Sequence, residues 1–261
     1  MAGIVINIDP TIFRVGGFSL RWYSSIIIVA VLAALYFSWR EAKRLGLKPD
    51  DVTNLALWGI PGGIIGSKLV HVIDQLSYYL ENPGKIIGGE GQAIYGAILG
   101  GGLAVWIGSR VHRIPFRKFA DVVAPGLLIA QAIGRLANIV NGDATGKPTD
   151  LPWAFTYTHP DTYAPQGVAT HPSAVYEIIW DMIVLGIVLR LRGRLRPDGS
   201  LFILYLALYS VGRFFITFTR VNKPWLFGLV QAQLIALLIL LVTVPWLVAR
   251  VQRVQKGPSG G

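Results

Sequence analysis

The residues most suited to chemistry lie in one short stretch, Gly134–Asp143, which closes an apolar segment that starts near Phe119. Arg135 and Asn138 are three positions apart, so a helix places them on one face. A guanidinium is costly inside a bilayer, and its fork of N–H donors suits a phosphate or a carboxylate. Polar residues from Asn141 onward predict a turn into a loop. The stretch therefore predicts either a site for an anionic ligand or an ion pair that fixes helix packing.

A second arginine, Arg213, has a similar polar setting, with Tyr209 one helical turn before it and Thr217 one turn after it. Two guanidiniums that face one cavity repel each other unless an anion lies between them. The carboxylates available for this are Glu177, Asp181 and Asp143. A diffusible anion is the alternative, and a phospholipid headgroup is the natural one inside a bilayer.

The composition indicates a membrane protein. Of 261 residues, 53% are apolar and 15% are charged, and the mean hydropathy is +0.53, whereas soluble domains carry about 25% charged residues. Runs of roughly 20 apolar residues cross a bilayer. Seven such spans are predicted, at about 19–39, 52–73, 92–109, 118–140, 172–190, 200–219 and 229–249. The predicted fold is an all-α polytopic membrane protein, with residues 1–261 forming a single integral membrane domain. Cysteine is absent, which excludes disulfides and thiolate nucleophiles.

The basic residues predict the orientation. Fifteen lysines and arginines follow spans one, three and five or form the C-terminal tail, and only five lie in the other loops. Cytoplasmic loops carry the excess of positive charge, so the N-terminus is predicted outside and the C-terminus in the cytoplasm. The first apolar run continues past the length of a signal-peptide core and is interpreted as a transmembrane helix. The net charge of +10 then reports topology, and no nucleic-acid partner is expected.

This topology places the intramembrane basic residues in one layer near the outer face. Four of them lie roughly 5–12 Å below that face at 1.5 Å per helical residue: Arg21, Lys68, Arg135 and Arg213. Snorkelling of the side chain to the interface is the simpler explanation for Arg21. For Lys68, snorkelling and a ligand-binding role explain the position equally well. The outer loop at 141–171 is long, aromatic and polar, so we expect it to be ordered.

The segment His171-Pro172-Ser173 predicts a helix start, with proline at the first helical position. His171 is then either a helix cap or a residue that faces the outer cavity. No metal site is predicted, because the four histidines are scattered without the close spacing of a ligand set.

Six segments together resemble the prolipoprotein diacylglyceryl transferase family. Gly134–Asp143 is similar to the family signature G-R-x-x-N-F-x-N-x-E. The other segments occur in the family's order along the chain: Leu20–Tyr23, Tyr95–Gly100, Asp121–Pro125, His171–Glu177 and Tyr209–Arg213. The resemblance extends from about residue 10 to residue 250, and the combination of motifs is highly specific.

The resemblance implies an enzyme that transfers diacylglyceryl from phosphatidylglycerol to the lipobox cysteine thiol of a preprolipoprotein. A thioether forms and glycerol phosphate leaves, at the outer leaflet of the bacterial plasma (inner) membrane. The implied partners are phosphatidylglycerol, the preprolipoprotein signal peptide and other membrane lipids, and no cofactor is implied. Arg135 and Arg213 would hold the lipid phosphate and stabilise the leaving group, and Tyr95 is the third candidate catalytic residue. The predicted substrate-binding residues are Tyr23, Asn138, Asn141, Asp143, His171, Tyr176, Glu177 and Tyr209.

Three positions depart from the family pattern. Tyr95 stands where the family often has His, and a tyrosine with a pKa of about 10 is a poor general base at neutral pH. The two arginines could instead favour the thiolate through their positive field. Asp143 replaces the usual Glu, which keeps the charge on a shorter arm. Thr217 stands where a Glu is common, so a supporting ion pair of Arg213 is expected to be missing.

Two other classes of protein compete with the transferase. A transporter or channel for an anion or a lipid would continue its polar residues through the cytoplasmic half, where the chain has few beyond Asp121. A structural membrane anchor would give no role to paired intramembrane arginines. The sequence therefore favours the transferase over both.

Overall fold

A computed structural model of the chain describes residues 3–88 and 93–253. Gln92, where the third predicted span begins, lies outside the described residues. The long helices are α1 (Trp22–Leu45), α2 (Pro49–Asp74), α5 (Ile94–Val111), α6 (Phe116–Asn141), α7 (Ser173–Leu191), α8 (Ser200–Ile216) and α9 (Gln231–Arg250). Shorter elements are the helices α3 (Leu76–Glu81) and α4 (Lys85–Gly88) and a 3-10 turn at Thr217–Thr219. The strands are β1 (Ile4–Ile6), β2 (Thr11–Val15), β3 (Phe18–Arg21), β4 (Phe155–Tyr157), β5 (Ala169–Thr170), β6 (Leu195–Arg196) and β7 (Gln252–Arg253).

Six helices in the described part of the chain are long and apolar enough to cross a membrane: α1, α2, α5, α6, α9 and α8 with its 3-10 extension. The class predicted from composition, an all-α polytopic membrane protein, is confirmed. Helix α7 has 19 residues but carries Glu177, Asp181 and Arg190, which sets it apart from the six by charge rather than by length.

The first helix begins later than the sequence predicted. Residues Phe18–Arg21 pair with Thr11–Val15 as an antiparallel hairpin, which turns at Gly16 with a φ of +58°. Arg21 is therefore the last residue of a strand and does not lie inside a helix. Its Nη1 donates a hydrogen bond to the hydroxyl of Tyr163 in the loop at 141–171, at 3.2 Å.

Contacts divide the chain into two compact units, which are described separately. The smaller unit spans Ser38–Ala120, and α2 and α5 pack along each other within it at glycines. A Cβ added to Gly100 would lie 2.5 Å from the backbone oxygen of Gly62 and 2.8 Å from the Cα of Gly66. Without a hydrophobic driving force between helices in lipid, such close backbone contact is what holds them together.

Lys68 of α2 has protein partners in this unit. Its Nζ donates to the buried hydroxyl of Tyr79 at 3.2 Å and lies 5.2 Å from the centre of that ring. The tyrosine hydroxyl and the face of its ring both stabilise this cation.

The larger unit comprises residues up to Phe37 and from Asp121 onward. Its core joins α6, α7 and α8 through Leu128, Val184 and Tyr205. The buried carboxylate of Asp121 accepts the N–H groups of Gly199 at 2.7 Å and Phe202 at 2.9 Å. Because the first N–H groups of a helix lack partners within the helix, this carboxylate of α6 caps the start of α8 and fixes the two helices in register.

The loop after α6 is folded back on the N-terminal segment. Strand β1 pairs in parallel with β4, and β4 pairs antiparallel with β5, which gives a three-stranded sheet in the order β1-β4-β5. This sheet brings both ends of the 141–171 loop close to the ends of α6 and α7.

The packing of α2 on α5 generates a stability prediction with an internal control. In Gly100→Ala the new methyl would meet backbone atoms of α2, so we expect a loss of about 1–3 kcal/mol from overpacking. In Gly102→Ala, on the same helix, nothing lies within 4 Å of the added Cβ, and we expect a neutral effect or a gain of up to about 1 kcal/mol. Thermal unfolding of the two purified variants in detergent measures the difference, and equal melting temperatures would refute this packing.

Candidate active site

One buried carboxylate, that of Glu177 on α7, contacts three arginines. Arg213 Nη1 donates to Glu177 Oε1 at 2.7 Å, and Arg220 Nη1 donates to the same oxygen at 3.2 Å. Arg135 Nη2 forms an ion pair with Oε2. Glu177 is 5% exposed, and the three arginine side chains are only 15–24% exposed. The cluster thus combines three positive charges with one carboxylate, and all four side chains are largely shielded from solvent.

The ends of three helices bring these side chains together. Arg135 lies in the last two turns of α6, Arg213 in the last turn of α8, and Glu177 in the second turn of α7. The Thr217 hydroxyl donates to the backbone oxygen of Arg213, and the helix tightens there into a 3-10 turn. Such a turn is a common way to close a helix, and here it leads directly to Arg220.

Arg213 has an ion-pair partner even though Thr217 replaces the glutamate that is common in the family. Thr217 does stand where the family commonly has a glutamate, but Glu177 of α7 supplies a carboxylate to Arg213 instead. Sequence spacing could not show this, because the two residues are 36 positions apart.

A line of hydrogen bonds connects the arginine cluster to the loop that follows α6. Arg135 Nη1 donates to Asn138 Oδ1 at 3.1 Å, and Asn138 Nδ2 donates to Asp143 Oδ1 at 2.8 Å. The three-residue spacing predicted this shared face. Tyr23 of α1 lies near both charged ends of this line, and Tyr209 of α8 lies beside the Arg135 guanidinium.

A second buried acid lies one turn deeper on α7. Asp181 is 2% exposed and is four residues after Glu177, so both face the same side of the helix. It lies close enough to interact with Arg135 and Arg213. Two carboxylates on one helix face therefore offset part of the charge of the three guanidiniums.

The loop after Asp143 lies between the backbones of Arg220 and His171 and bonds to both segments. Gly146 N donates to the backbone oxygen of His171 at 3.1 Å and pairs across an isolated bridge with Arg220. Lys147 N donates to the oxygen of Thr219 at 2.7 Å. A Cβ on Gly146 would lie 2.4 Å from His171, so this close approach requires glycine.

Sequence reasoning missed Arg220 and Gly146 as site residues. Arg220 lies seven residues after Arg213, further along the same polar helix face, but the sequence did not single it out as a site residue. Gly146 gave no signal, since its importance comes from a contact with a residue 25 positions later.

An aromatic hydrogen-bond chain lies next to this loop. Trp153 Nε1 donates to the hydroxyl of Tyr176 at 2.9 Å. That hydroxyl lies 3.3 Å from His171 Nδ1, and the two rings meet edge to face with centres 6.1 Å apart. Tyr176 directly precedes Glu177 on α7, so the hydrogen-bond chain and the arginine cluster are attached to the same helical turn.

Asn141 and Tyr157 support the end of α6 from the loop. The backbone oxygen of Asn141 accepts the N–H of Tyr163 at 3.0 Å, and its side chain is buried. The Tyr157 hydroxyl donates to the oxygen of Ile139 at 3.0 Å. Burial, and secondarily the charge of Asp143, raises the pKa of Tyr157 to about 12, so this hydroxyl remains a donor at neutral pH.

Tyr95 differs from the other predicted site residues in its location. It lies in the first turn of α5, in the smaller unit, and its catalytic role stays a prediction. The other predicted residues all belong to the larger unit.

One group of side chains could hold a metal ion. Ligand atoms of Asp9, His159 and Asp161 lie within 4.8 Å of one another. The Asp161 carboxylate already binds Arg14 at 2.6 Å, and His159 Nδ1 accepts the N–H of Asp161 at 3.3 Å. These contacts occupy part of the ligand set, which lies in the N-terminal segment and the outer loop and not among the residues of the Glu177 cluster.

The fold and the site define a polytopic helical membrane protein with a buried cluster of three arginines around one glutamate. The chain belongs to the prolipoprotein diacylglyceryl transferase family, whose model, described as prolipoprotein diacylglyceryl transferase, matches residues 10–249. It is 40% identical to the phosphatidylglycerol–prolipoprotein diacylglyceryl transferase of Dehalococcoides mccartyi over 96% of both chains. It is 37% identical to the protein of that name from Clostridioides difficile, over 88% of this chain and 90% of the relative.

The contact of Gly146 with His171 generates a testable prediction. In Gly146→Ala the methyl would overlap the His171 backbone, so the loop must move and carry His171 and Arg220 apart. We expect a loss of about 1–3 kcal/mol in stability, together with a loss of activity.

The control for this substitution is Gly186→Ala on α7, where nothing lies within 4 Å of the added Cβ. Melting temperatures and crystal structures of both variants test the prediction. A Gly146→Ala protein with parental stability and an unmoved loop would contradict it.

Proposed function

We propose that this protein transfers the diacylglyceryl group of phosphatidylglycerol to the lipobox cysteine thiol of preprolipoproteins. Membership of the transferase family supports the reaction. The observation that carries the proposal is the convergence of three guanidiniums at Glu177, because a phosphodiester headgroup is the anion that such a cluster fits inside a membrane. A transporter for an anion or a lipid has no comparable support.

We further propose seven spans, with α7 as the seventh. Its acidic residues are buried against arginines rather than facing lipid, which is the arrangement that intramembrane charges require. Fifteen basic residues against five favour an outer N-terminus and a cytoplasmic C-terminus. The arginine cluster would then face the outer leaflet of the bacterial inner membrane, in one integral membrane domain covered by the ordered loop at 141–171.

The proposed mechanism starts with the lipid phosphate entering the arginine cluster. Glu177 offsets only one of the three guanidinium charges, so the cluster has positive charge left for a phosphate. The phosphate either shares Arg135 and Arg213 with Glu177 or displaces it from them. Asn138, Asp143 and Tyr23 would then orient the headgroup from the side of α6 and α1.

The cysteine sulfur would attack the glyceryl carbon that bears the phosphate ester. A C–S bond forms as the C–O bond breaks, and the bonding electrons pass to the phosphate oxygen of the departing glycerol phosphate. The arginines stabilise the charge that develops on this oxygen, which is the kind of electrostatic term that contributes most to catalysis. The signal peptide and its lipobox cysteine are thus the second substrate, and Tyr95 remains a candidate catalytic residue.

The direct test is an assay with purified protein, phosphatidylglycerol and a lipobox peptide. We expect a thioether-linked diacylglyceryl peptide, detected by mass spectrometry. Arg135→Lys and Arg213→Lys keep the charge but lose the planar fork, and each should lower the rate by about 10²–10³-fold, as loss of a donor to a developing anion does. Arg250→Lys, at the C-terminal end of α9 and outside the arginine cluster, is the matched control. Absence of product from the parent protein would overturn the function.

A separate prediction concerns the exchange of Glu177 for phosphate. In Glu177→Gln the arginines lose their carboxylate, so we expect a loss of stability of about 3 kcal/mol in neutral detergent. Anionic lipid should restore more stability to this variant than to the parent, because the phosphate supplies the missing charge.

Melting temperatures with phosphatidylglycerol and with a zwitterionic phospholipid measure this exchange. Equal shifts for parent and Glu177→Gln would show that phosphate and Glu177 do not occupy the same cationic cluster.

A further inference from the structure

A thiol must lose its proton before or during its attack on the lipid. An ordinary cysteine thiol has a pKa near 8.5, so only a few per cent is thiolate at neutral pH. The inference below rests on the proposed function, because it concerns the fate of that proton.

The arginine cluster is a weak substitute for a base. Glu177 is in direct contact with all three guanidiniums, and Asp181 lies behind it on the same helix. The Glu177 carboxylate reduces the positive field that would otherwise favour the thiolate, and a bound lipid phosphate would reduce it further. The reaction therefore needs a proton acceptor near the cluster.

Imidazole is the side chain whose ordinary pKa suits proton transfer near neutral pH. The larger unit contains two histidines among its described residues, His159 and His171. His159 lies in the outer loop beside Asp9 and Asp161. His171 is partly exposed, and its Nδ1 lies 3.3 Å from the hydroxyl of Tyr176, the residue before Glu177.

The hydrogen-bond chain has a direction. Trp153 Nε1 can only donate, so the Tyr176 oxygen accepts this bond at 2.9 Å. The hydroxyl hydrogen of Tyr176 then remains available for His171 Nδ1, with the second ring nitrogen of His171 carrying its own hydrogen. A tyrosine held between a fixed donor and an imidazole acceptor can receive a proton on its oxygen while it passes its own proton on.

Backbone contacts link His171 to Arg220 of the proposed phosphate site through Gly146 and Lys147. His171 O accepts the N–H of Gly146, and Gly146 pairs with Arg220. His171 N donates to the oxygen of Lys147 at 3.0 Å. The imidazole is thus fixed at its backbone to the same strand-like contact that positions Arg220.

We propose that Tyr176 and His171 form a proton relay that accepts the proton of the lipobox thiol. As the S–H bond breaks, the sulfur pair forms the C–S bond and the proton passes to the Tyr176 oxygen. The hydroxyl proton of Tyr176 moves to His171 Nδ1 in the same step, which leaves a neutral tyrosine and an imidazolium. Water at the partly exposed imidazole then removes the proton, while glycerol phosphate carries away the electrons of the broken C–O bond.

Other titratable groups face this pair and must be held constant in a test. Asp143 and Tyr157 line a small cavity together with His171, and Glu177 follows Tyr176 on α7. Substitutions are therefore confined to His171 and Tyr176. Each variant is then assayed with two peptide substrates that differ only in their nucleophile.

The experiment compares a lipobox peptide with its selenocysteine analogue, whose selenol is far more acidic than a thiol and needs no base. With the cysteine peptide at pH 7, His171→Gln and Tyr176→Phe should each lower kcat/KM by about 10²-fold, the usual contribution of general base catalysis. With the selenocysteine peptide both variants should react at nearly the parental rate. The deficit with cysteine should also shrink as the pH rises through the ordinary thiol pKa of about 8.5.

His159→Gln is the matched control and should react as the parent does with both peptides. An equal loss with both peptides in His171→Gln and Tyr176→Phe would mean that the residues only shape the site, and would overturn the relay. An unchanged rate with the cysteine peptide would overturn it as well. Absence of product from the parent protein with either peptide would instead refute the transferase function itself.

Discussion

The structure of the larger unit depends on one carboxylate shared by three guanidiniums. Burying an unpaired charge costs several kcal/mol of desolvation, and only close, well-oriented partners offset this cost. Glu177 satisfies this requirement for α6, α7 and α8 at once, because an arginine from the end of α6, one from the end of α8 and one just beyond it all reach it. The arrangement also carries an excess of positive charge. With that excess, the same residues could hold the helices together and also receive the proposed anionic headgroup.

The two units keep their helices together by different physical means. In the smaller unit, glycines on α2 and α5 allow backbone contact, so packing does the work that hydrophobic burial does in water. In the larger unit, polar contacts join the helices: Asp121 caps α8, Glu177 binds the arginines, and Trp180 Nε1 donates to the oxygen of Leu208 at 2.9 Å. The chemistry therefore lies where the polar groups are, and the glycine pair supplies only close packing.

Much of this could be predicted from the sequence, and the parts that could not share one cause. Hydropathy gave the helical membrane class, and the three-residue spacing of Arg135 and Asn138 gave their common face. Helix α1 starts later than predicted because the hairpin turn at Gly16 pairs residues that hydropathy assigns to a span. The sequence offered Glu177 only as one of three possible carboxylates and did not place Arg220 in the site, because both assignments depend on contacts between residues far apart in sequence. Local periodicity describes one helix at a time and carries no information about such contacts.

The outer loop connects the two halves of the proposed chemistry. Its start, at Asp143, is hydrogen-bonded to Asn138 and through it to Arg135, which belongs to the phosphate side. Its end, at His171, is held by Gly146 and faces Tyr176, which belongs to the thiol side. A shift of this loop would therefore move the headgroup contacts and the proton acceptor together. Since C–S bond formation and C–O bond breaking must occur on one carbon in one step, a single rigid connection between the groups that serve each bond is what the reaction requires of the fold.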